Sequence, residues 1–364
     1  MEKISSQDLS IVVQGPNIKQ HTCKCLKSLR KNFPKAQIIF STYEKENIDN
    51  LDFDILIKST DPGATKLSET MSNNINRILV TTKAGLNKVT RKYCLKIRSD
   101  MFFENDKILL NLEQNFEKRE KDFTVFKQRV LFYALWTRKH EHLVNKHFIM
   151  TPFYLSDWLC FGLSEDIKNY FDSIELTKEP EFSYYFKNIK NIRYEIYNTG
   201  ITWQFSPEQY FATSFFKKYF KDAFMKSLQD FSEEKMEFSR RILANNVIVC
   251  GYKECGAYIQ KKQYKTVSKY INILNGCWLD GVYRYADFLT DYKKYCDKNF
   301  EIPFYYKWGQ NKDIKENISK IGKHFKKFIT PFESFIKWTE QIFSIFYYSL
   351  KLIKNTIVIF CKNI

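Results

Sequence analysis

No Cys-x-x-Cys occurs among the nine cysteines, which stand at 23, 25, 94, 160, 250, 255, 277, 296 and 361. Cys23 and Cys25 have no partner pair at zinc-site spacing, which argues against a zinc module. The odd number argues against a disulfide framework, and several thiols sit inside apolar runs. Reduced, buried thiols in a cytosolic protein are therefore expected. No Gly-x-x-x-x-Gly-Lys loop is present, which excludes a P-loop enzyme. No Gly-x-Ser-x-Gly elbow is present, which excludes a hydrolase of that design. The longest uncharged apolar segment near the C-terminus, "QIFSIFYYSL", has ten residues, against the ~20 needed to span a bilayer. The stretch "MEKISSQDLS" has no apolar h-region, so no signal peptide is expected. No internal repeat is visible.

What the chain does have is positive charge, a net +17 over 364 residues, and a hydrophobic content of 44%. That content is ample for a core, so disorder is excluded. The length suits one large domain with an appendage, or two domains. The charge suggests an anionic partner: nucleic acid, acidic membrane or a phosphorylated substrate. A Lys-, Asn-, Ile- and Phe-rich composition accounts for part of it without any partner.

"LSIVVQG" (9–15) reads as a strand closed by Gly15-Pro16. "HTCKCLKSLRKNFP" reads as a helix, with Thr22 as a candidate cap and Pro34 as its stop. "AQIIFSTY" (36–43) and "DILIKST" (54–60) read as strands, the second ended by Asp61-Pro62-Gly63. Residues 71–86 place Met71, Ile75, Ile78 and Leu79 on one helix face, and 93–100 is a further strand. This alternation predicts an α/β fold with a mostly parallel central sheet, helices on both faces, and ligands at the carboxyl ends of the strands. The polar residues collect at those ends: Gln14-Gly15-Pro16, Ser41-Thr42, Asp61 and Arg98-Ser99-Asp100. Further on, 123–128 reads as a strand, 202–220 ends in a helix entered through Pro207 with Glu208 in its first turn, and 245–264 reads as a hairpin-like pair.

From 317 to 364 the composition shifts, with eight lysines against two glutamates. Aromatic and aliphatic residues recur there at helical spacing on either side of Pro331. This predicts a basic amphipathic helical tail, 316–364, appended to a domain of residues 1–315. Such a tail suits an anionic inner-membrane surface, making the protein cytoplasmic and peripheral. Packing on the main domain, or on a second copy, is the other reading of the same pattern.

The stretch "YCLKIRSDMFFEN" (93–105) carries the sharpest chemical signal. A buried strand delivers a cation and a carboxylate side by side, then returns at once to apolar residues. Arg98-Ser99-Asp100 resembles the short acidic motif of sugar-nucleotide transferases of the GT-A type, in which a strand-end carboxylate holds a divalent cation (Mn2+ or Mg2+) against the donor diphosphate. "IVVQGP", "SLRKNFPKAQIIFSTYE", "STDPG", "NNINR" and "LKIRSDMFF", followed by "SDWLCFG" and "PEQYF", together resemble the WavE-type family of lipopolysaccharide-synthesis glycosyltransferases over about residues 9–215.

That resemblance implies a GT-A-like nucleotide-diphospho-sugar transferase fold. It implies transfer from a nucleotide-activated sugar to a lipid-linked oligosaccharide or polysaccharide acceptor of lipopolysaccharide, lipooligosaccharide or capsule. The acids at the strand ends argue against a nucleic-acid partner. Gln14, Gly15 and Pro16 would then flank the nucleoside, Thr42 and Asp61 the base or ribose, and Asp100 would hold the metal. Asn74 and Arg77, in a patch with Asn73 and Asn76, would approach the donor phosphates with Arg98. A carboxylate must take the acceptor proton if the reaction inverts; Asp157 is preferred over Glu208, both being acids among aromatics. Trp158 and Trp203 would stack on sugar rings or pack in the core. A nucleic-acid-binding protein and a non-catalytic scaffold of polysaccharide assembly are the competing readings.

Overall fold

The computed structural model describes residues 3–69, 71–110, 115–142, 148–190, 192, 202–259, 281–303 and 306. The chain divides into two compact units, Met1–Pro303 and Phe304–Ile364, and the elements below belong to the first. The basic tail expected over 316–364, and its boundary at 315/316, lie outside the described residues. Among the described residues no helix is long and apolar enough to cross a membrane.

A seven-stranded, mostly parallel sheet forms the centre. Its strands are β1 (Leu9–Gln14), β2 (Gln37–Tyr43), β3 (Ile55–Ser59), β4 (Tyr93–Arg98), β5 (Val130–Tyr133), β6 (Leu159–Leu163) and β7 (Val247–Cys250), in spatial order 3-2-1-4-6-5-7. Only β6 runs antiparallel to its neighbours β4 and β5. β1, β2, β4 and β6 are almost wholly buried, as near-continuous runs such as "LSIVVQ" require for strands covered on both faces.

The order reverses between β1 and its neighbour β4, so a crevice opens at their carboxyl ends. Register brings the tips level there. Gln14 pairs with Ser41 of β2 and Arg98 of β4. The Arg98 amide donates to the Trp158 carbonyl at 3.2 Å, Ser99 N–H to the Gln14 carbonyl at 3.0 Å, and Gly15 N–H to the Ser41 carbonyl at 3.1 Å. Because β6 is antiparallel, its entrance rather than its exit reaches this edge. That places Asp157 and Trp158 beside residues that precede them by some sixty positions.

The helices are α1 (Gln20–Asn32), α2 (Ile75–Leu86), α3 (Ser164–Asp172), α4 (Pro207–Phe216), α5 (Glu233–Asn246), the single turn α6 (Tyr252–Cys255) and α7 (Tyr285–Tyr295). α2 lies close on β1 and β2, because a Cβ at Gly85 would stand 2.5 Å from Val12 Cγ1. α4 begins as its sequence demands: Ser206 accepts from the Gln209 amide at 3.3 Å and Pro207 occupies the first turn. α5 and α7 are tied by Arg240, which donates to Asp291, itself wholly buried and accepting from the Tyr283 hydroxyl at 2.6 Å.

Four local expectations are corrected. Residues 123–128 form no strand: Asn246 Oδ1 accepts from the Val125 and Phe126 amides, and Asp166 accepts from those of Lys127 and Gln128. Side chains satisfy this backbone, and the strand starts only at Val130. The described residues of 245–264 form no hairpin: β7 joins the central sheet, whereas Ala257–Ile259 pairs with Met101–Phe103 in a separate ribbon. Thr22 lies inside α1, its hydroxyl accepting from the Ile18 amide at 2.8 Å. Asn73 and Asn74 precede α2 rather than lie on it, and the Asn73 side chain accepts from the Ile75 amide at 2.9 Å. This resolves why poor helix formers cluster there. The described cysteines are free thiols, with Cys25, Cys94, Cys160, Cys250 and Cys255 buried. Cys277 and Cys361 lie outside the described residues.

Candidate active site

Arg98 and Asp100 stand at the tip of β4 and form a two-point ion pair. Nε donates to Oδ1 at 3.0 Å and Nη2 to Oδ2 at 2.9 Å. The carboxylate is 1% exposed and the guanidinium side chain 28%. The cation is therefore partly open to solvent and the anion is not. The guanidinium also sits 4.6 Å above the Trp158 ring, a desolvated cation–π arrangement. Between them, Ser99 Oγ donates to the Pro16 carbonyl at 2.7 Å, which ties the β4 tip to the β1 turn. Gly15 has φ +119°, and a Cβ there would stand 3.3 Å from Ser99 Oγ. Glycine is needed at this position for backbone conformation and for close approach alike.

The other expected donor ligands divide into two groups. Gln14 and Thr42 are buried at the tips of β1 and β2, and Gln14 Oε1 and Thr42 Oγ1 are buried atoms without a hydrogen-bond partner among the described residues. Asp61 and Arg77 are instead committed to each other, Nε to Oδ1 at 2.8 Å and Nη2 to Oδ2 at 2.7 Å. Arg77 Nη1 donates to Asn74 Oδ1 at 3.2 Å, and the guanidinium lies 4.8 Å above the Tyr43 ring. Asn73 and Asn76 brace the segment from 177 to 183, through Glu179, Ser183 and Thr177. Asn73, Asn76 and Glu179 also line a small cavity of about 130 Å³.

Trp158 also lines a cavity of about 270 Å³. Trp136, Trp158 and Trp203 line it together with Glu141, Glu208, Tyr154, Thr151 and Gln209. The antiparallel β6 brings Trp158, the exit of β5 leads to Trp136, and the first turn of α4 supplies Glu208 and Gln209. Trp158 thus forms a wall shared by the cavity and the Arg98–Asp100 pair. Burial, and next the nearby Asp157 carboxylate, push Glu208 up to about 8. Burial also raises Glu141, against the pull of Arg138 and a hydrogen bond from the Tyr154 hydroxyl at 3.1 Å.

Asp157 is 6% exposed, and its Oδ2 has no hydrogen-bond partner among the described residues. Its backbone carbonyl accepts from Lys96 Nζ. Lys96 is wholly buried on the β4 face that also carries Arg98, 5.7 Å from the Phe171 ring. Burial lowers its pKa, and Asp157 works against that fall. Sequence reasoning missed Lys96, although a lysine within the apolar run "YCLKIR" was a visible signal. It also missed Trp136, Glu141, Thr151 and Tyr154, which lie in segments without readable periodicity.

A divalent cation needs an open set of oxygen donors. Here both Asp100 oxygens accept from Arg98, and no group of three His, Cys, Asp or Glu side chains able to hold a metal occurs among the described residues. The donor set does not fit a metal held by the protein in this arrangement. Of the three histidines in "HEHLVNKH" (140–147), His140 and His142 lie in a short strand, and the segment 143–147 lies outside the described residues.

The family model for WavE lipopolysaccharide synthesis matches residues 9–321, most of the chain. The chain belongs to the WavE lipopolysaccharide synthesis family. The likeness read from the motifs of 9–215 therefore extends through the WavE domain to α7 and beyond. No curated protein matches the chain. Among solved structures, 4-diphosphocytidyl-2C-methyl-D-erythritol synthase from Anaerococcus prevotii DSM 20548 aligns with 57% of this chain and 97% of its own, at 10% identity and a TM-score of 0.29. That score is too low to inform the reading of the WavE site.

Proposed function

We propose that this WavE-family protein is a glycosyltransferase of GT-A-like fold. It would move a sugar from a nucleotide-diphospho-sugar to a lipid-linked acceptor of lipopolysaccharide, lipooligosaccharide or capsule synthesis. One observation carries the reading beyond the family: a partly exposed guanidinium, backed by a buried carboxylate, stands at the sheet's switch point and shares an indole wall with an acid-lined cavity.

In this reading the diphosphate lies against Arg98, whose outward N–H groups make charge-assisted hydrogen bonds to phosphate oxygens. Asp100 fixes the plane of the guanidinium, so the cation is in place before the leaving group gains charge. The Gly15-Pro16 turn lets the donor approach the backbone closely, beside Gln14 at the tip of β1. The sugar projects past Trp158 into the cavity, where Glu208 takes the acceptor proton. Its raised pKa makes the carboxylate a competent base once formed. Asp157 holds that pKa up, so the preference between the two acids passes to Glu208, the one that lines the cavity. No step is assigned to a metal.

The test is calorimetric titration of the full chain with a panel of nucleoside diphosphates and their sugar conjugates, with and without EDTA. At least one should bind, Arg98→Ala should weaken it by about 2 kcal/mol or more, as loss of a charged hydrogen-bond donor does, and EDTA should leave binding unchanged. Failure of every nucleotide to bind would refute the reading. Binding that vanishes in EDTA would return the metal to Asp100 and take the diphosphate away from Arg98.

A further inference from the structure

Resting on the transferase reading, we infer that the tryptophan-lined cavity binds one sugar ring that carries no negative charge, and rejects rings bearing a carboxylate. Its volume, about 270 Å³, lies just below the range of about 300–1,000 Å³ typical of small-molecule sites. That volume suits a single ring inside the cavity.

The lining defines the chemistry. Trp136 and Trp158 stand with ring centroids 6.0 Å apart at 56°, and Trp203 adds a third indole. Such faces offer flat apolar area to the C–H face of a pyranose. An alkyl chain would satisfy the same area but not the polar groups. Thr151 is 3% exposed, and its Oγ1 is a buried atom with no partner among the described residues. Glu141 and Glu208 also open on the space. Filling it with hydrocarbon would leave Thr151 Oγ1 unpaired, a cost of about 1–3 kcal/mol, and would strip both acids of solvent. A hydroxyl-rich ring supplies the missing partners.

Charge then selects among rings. Among the described residues that line the cavity there is no lysine, arginine or histidine. The two nearest guanidinium groups are engaged: Arg138 lies 3.4 Å from Glu141 Oε1 and 4.8 Å from the Trp136 ring, and Arg98 pairs with Asp100 behind Trp158. A sugar carboxylate entering here would be desolvated beside Glu141 and a protonated Glu208, with no cation among the described lining residues to offset that cost. Hydroxyl, acetamido and ammonium substituents meet no such penalty.

The experiment uses the full chain and simple glycosides, so its result does not depend on nucleotide binding. Tryptophan fluorescence is titrated at pH 7 with methyl glucoside, the methyl glycoside of N-acetylglucosamine, methyl glucuronide, and uridine as a flat aromatic control. At least one uncharged glycoside should change the emission, and methyl glucuronide should bind at least about tenfold more weakly than methyl glucoside, as desolvating a carboxylate without a cationic partner requires. Trp203→Ala should abolish the response while leaving nucleoside diphosphate affinity intact, and Glu141→Gln should narrow the gap between the two glycosides. If Glu141→Gln fails to fold, Thr151→Val serves, with an expected loss of several-fold in affinity for the uncharged ring. Equal or tighter binding of the glucuronide, a response to uridine alone, or none to any glycoside overturns the inference. Glycoside binding without nucleotide binding would leave this inference standing and remove the transferase reading.

Discussion

Two arginine–aspartate pairs lie beyond the carboxyl ends of the parallel strands, and their chemistry is the same. Arg98–Asp100 and Arg77–Asp61 are both two-point pairs, with every bond between 2.7 and 3.0 Å, and both guanidinium groups rest on an aromatic ring. They differ in the carboxylate, which is 1% exposed in the first pair and 37% in the second. Burial tends to raise Asp61, but the hydrogen bonds from Arg77 and Gly63 outweigh it and leave that carboxyl below its usual range. A pair bathed by water fixes a loop at little energetic consequence. A pair whose anion is sealed beneath its cation leaves a charge stranded if either partner is lost. Of the two, only the buried pair stacks on Trp158, an indole that also lines the cavity.

The largest effect should come from breaking the buried pair. Asp100→Ala should cost about 3–5 kcal/mol of stability by urea unfolding. Replacing both partners, Arg98→Met with Asp100→Leu, should recover most of that loss without restoring nucleotide affinity. Recovery of affinity in the double variant would show that the pair acts only on structure.

Glu208→Gln comes next and separates the cavity from the pair. Turnover should fall by about 10²–10⁴, the usual contribution of a positioned proton acceptor, with Kd for the nucleotide unchanged. In the wild type, turnover should climb with pH to a plateau above about 8. Stability should move the opposite way. Glu208 keeps its proton in the fold up to about 8, whereas the unfolded chain releases it near 4.5. The folded state binds the extra proton between those values, so this group's contribution is full below 4.5 and lost as pH rises toward 8. Urea midpoints taken from pH 5 to 9 should decline less steeply in the Gln variant. Parallel slopes would place the titration on another residue.

The smallest effect belongs to the exposed pair. Arg77→Ala or Asp61→Ala should change stability by about 0–1 kcal/mol and leave nucleotide affinity within a factor of two. A larger loss of affinity would return these residues to the donor site.

The central strands were legible because buried parallel strands read as continuous apolar runs and their polar ends stand out. Gln14, Gly15, Arg98 and Asp100 could therefore be named from the letters alone. The expected strand over 123–128 failed for a local reason: "FTVFKQ" has strand-like composition, but Asn246 and Asp166 supply its backbone partners from far along the chain. Asn73 and Asn74 were placed on a helix because the apolar spacing of 71–86 runs on through them, whereas Asn74 is the residue at the helix's N-cap and the Asn73 side chain accepts from the first helical amide.

The sequence by itself determined the alternation of strand and helix, the polar strand tips, and the adjacency of cation and carboxylate at 98–100, since each is a matter of neighbours a few residues apart. Only the tertiary structure decided that Asp100 lies beneath Arg98, that Arg77 answers Asp61, and that Glu141, Thr151 and Trp136 share one cavity with Glu208. Those relations depend on register, on the reversed direction of one strand, and on burial. Burial is a property of what packs over a residue, and no local run of letters contains it.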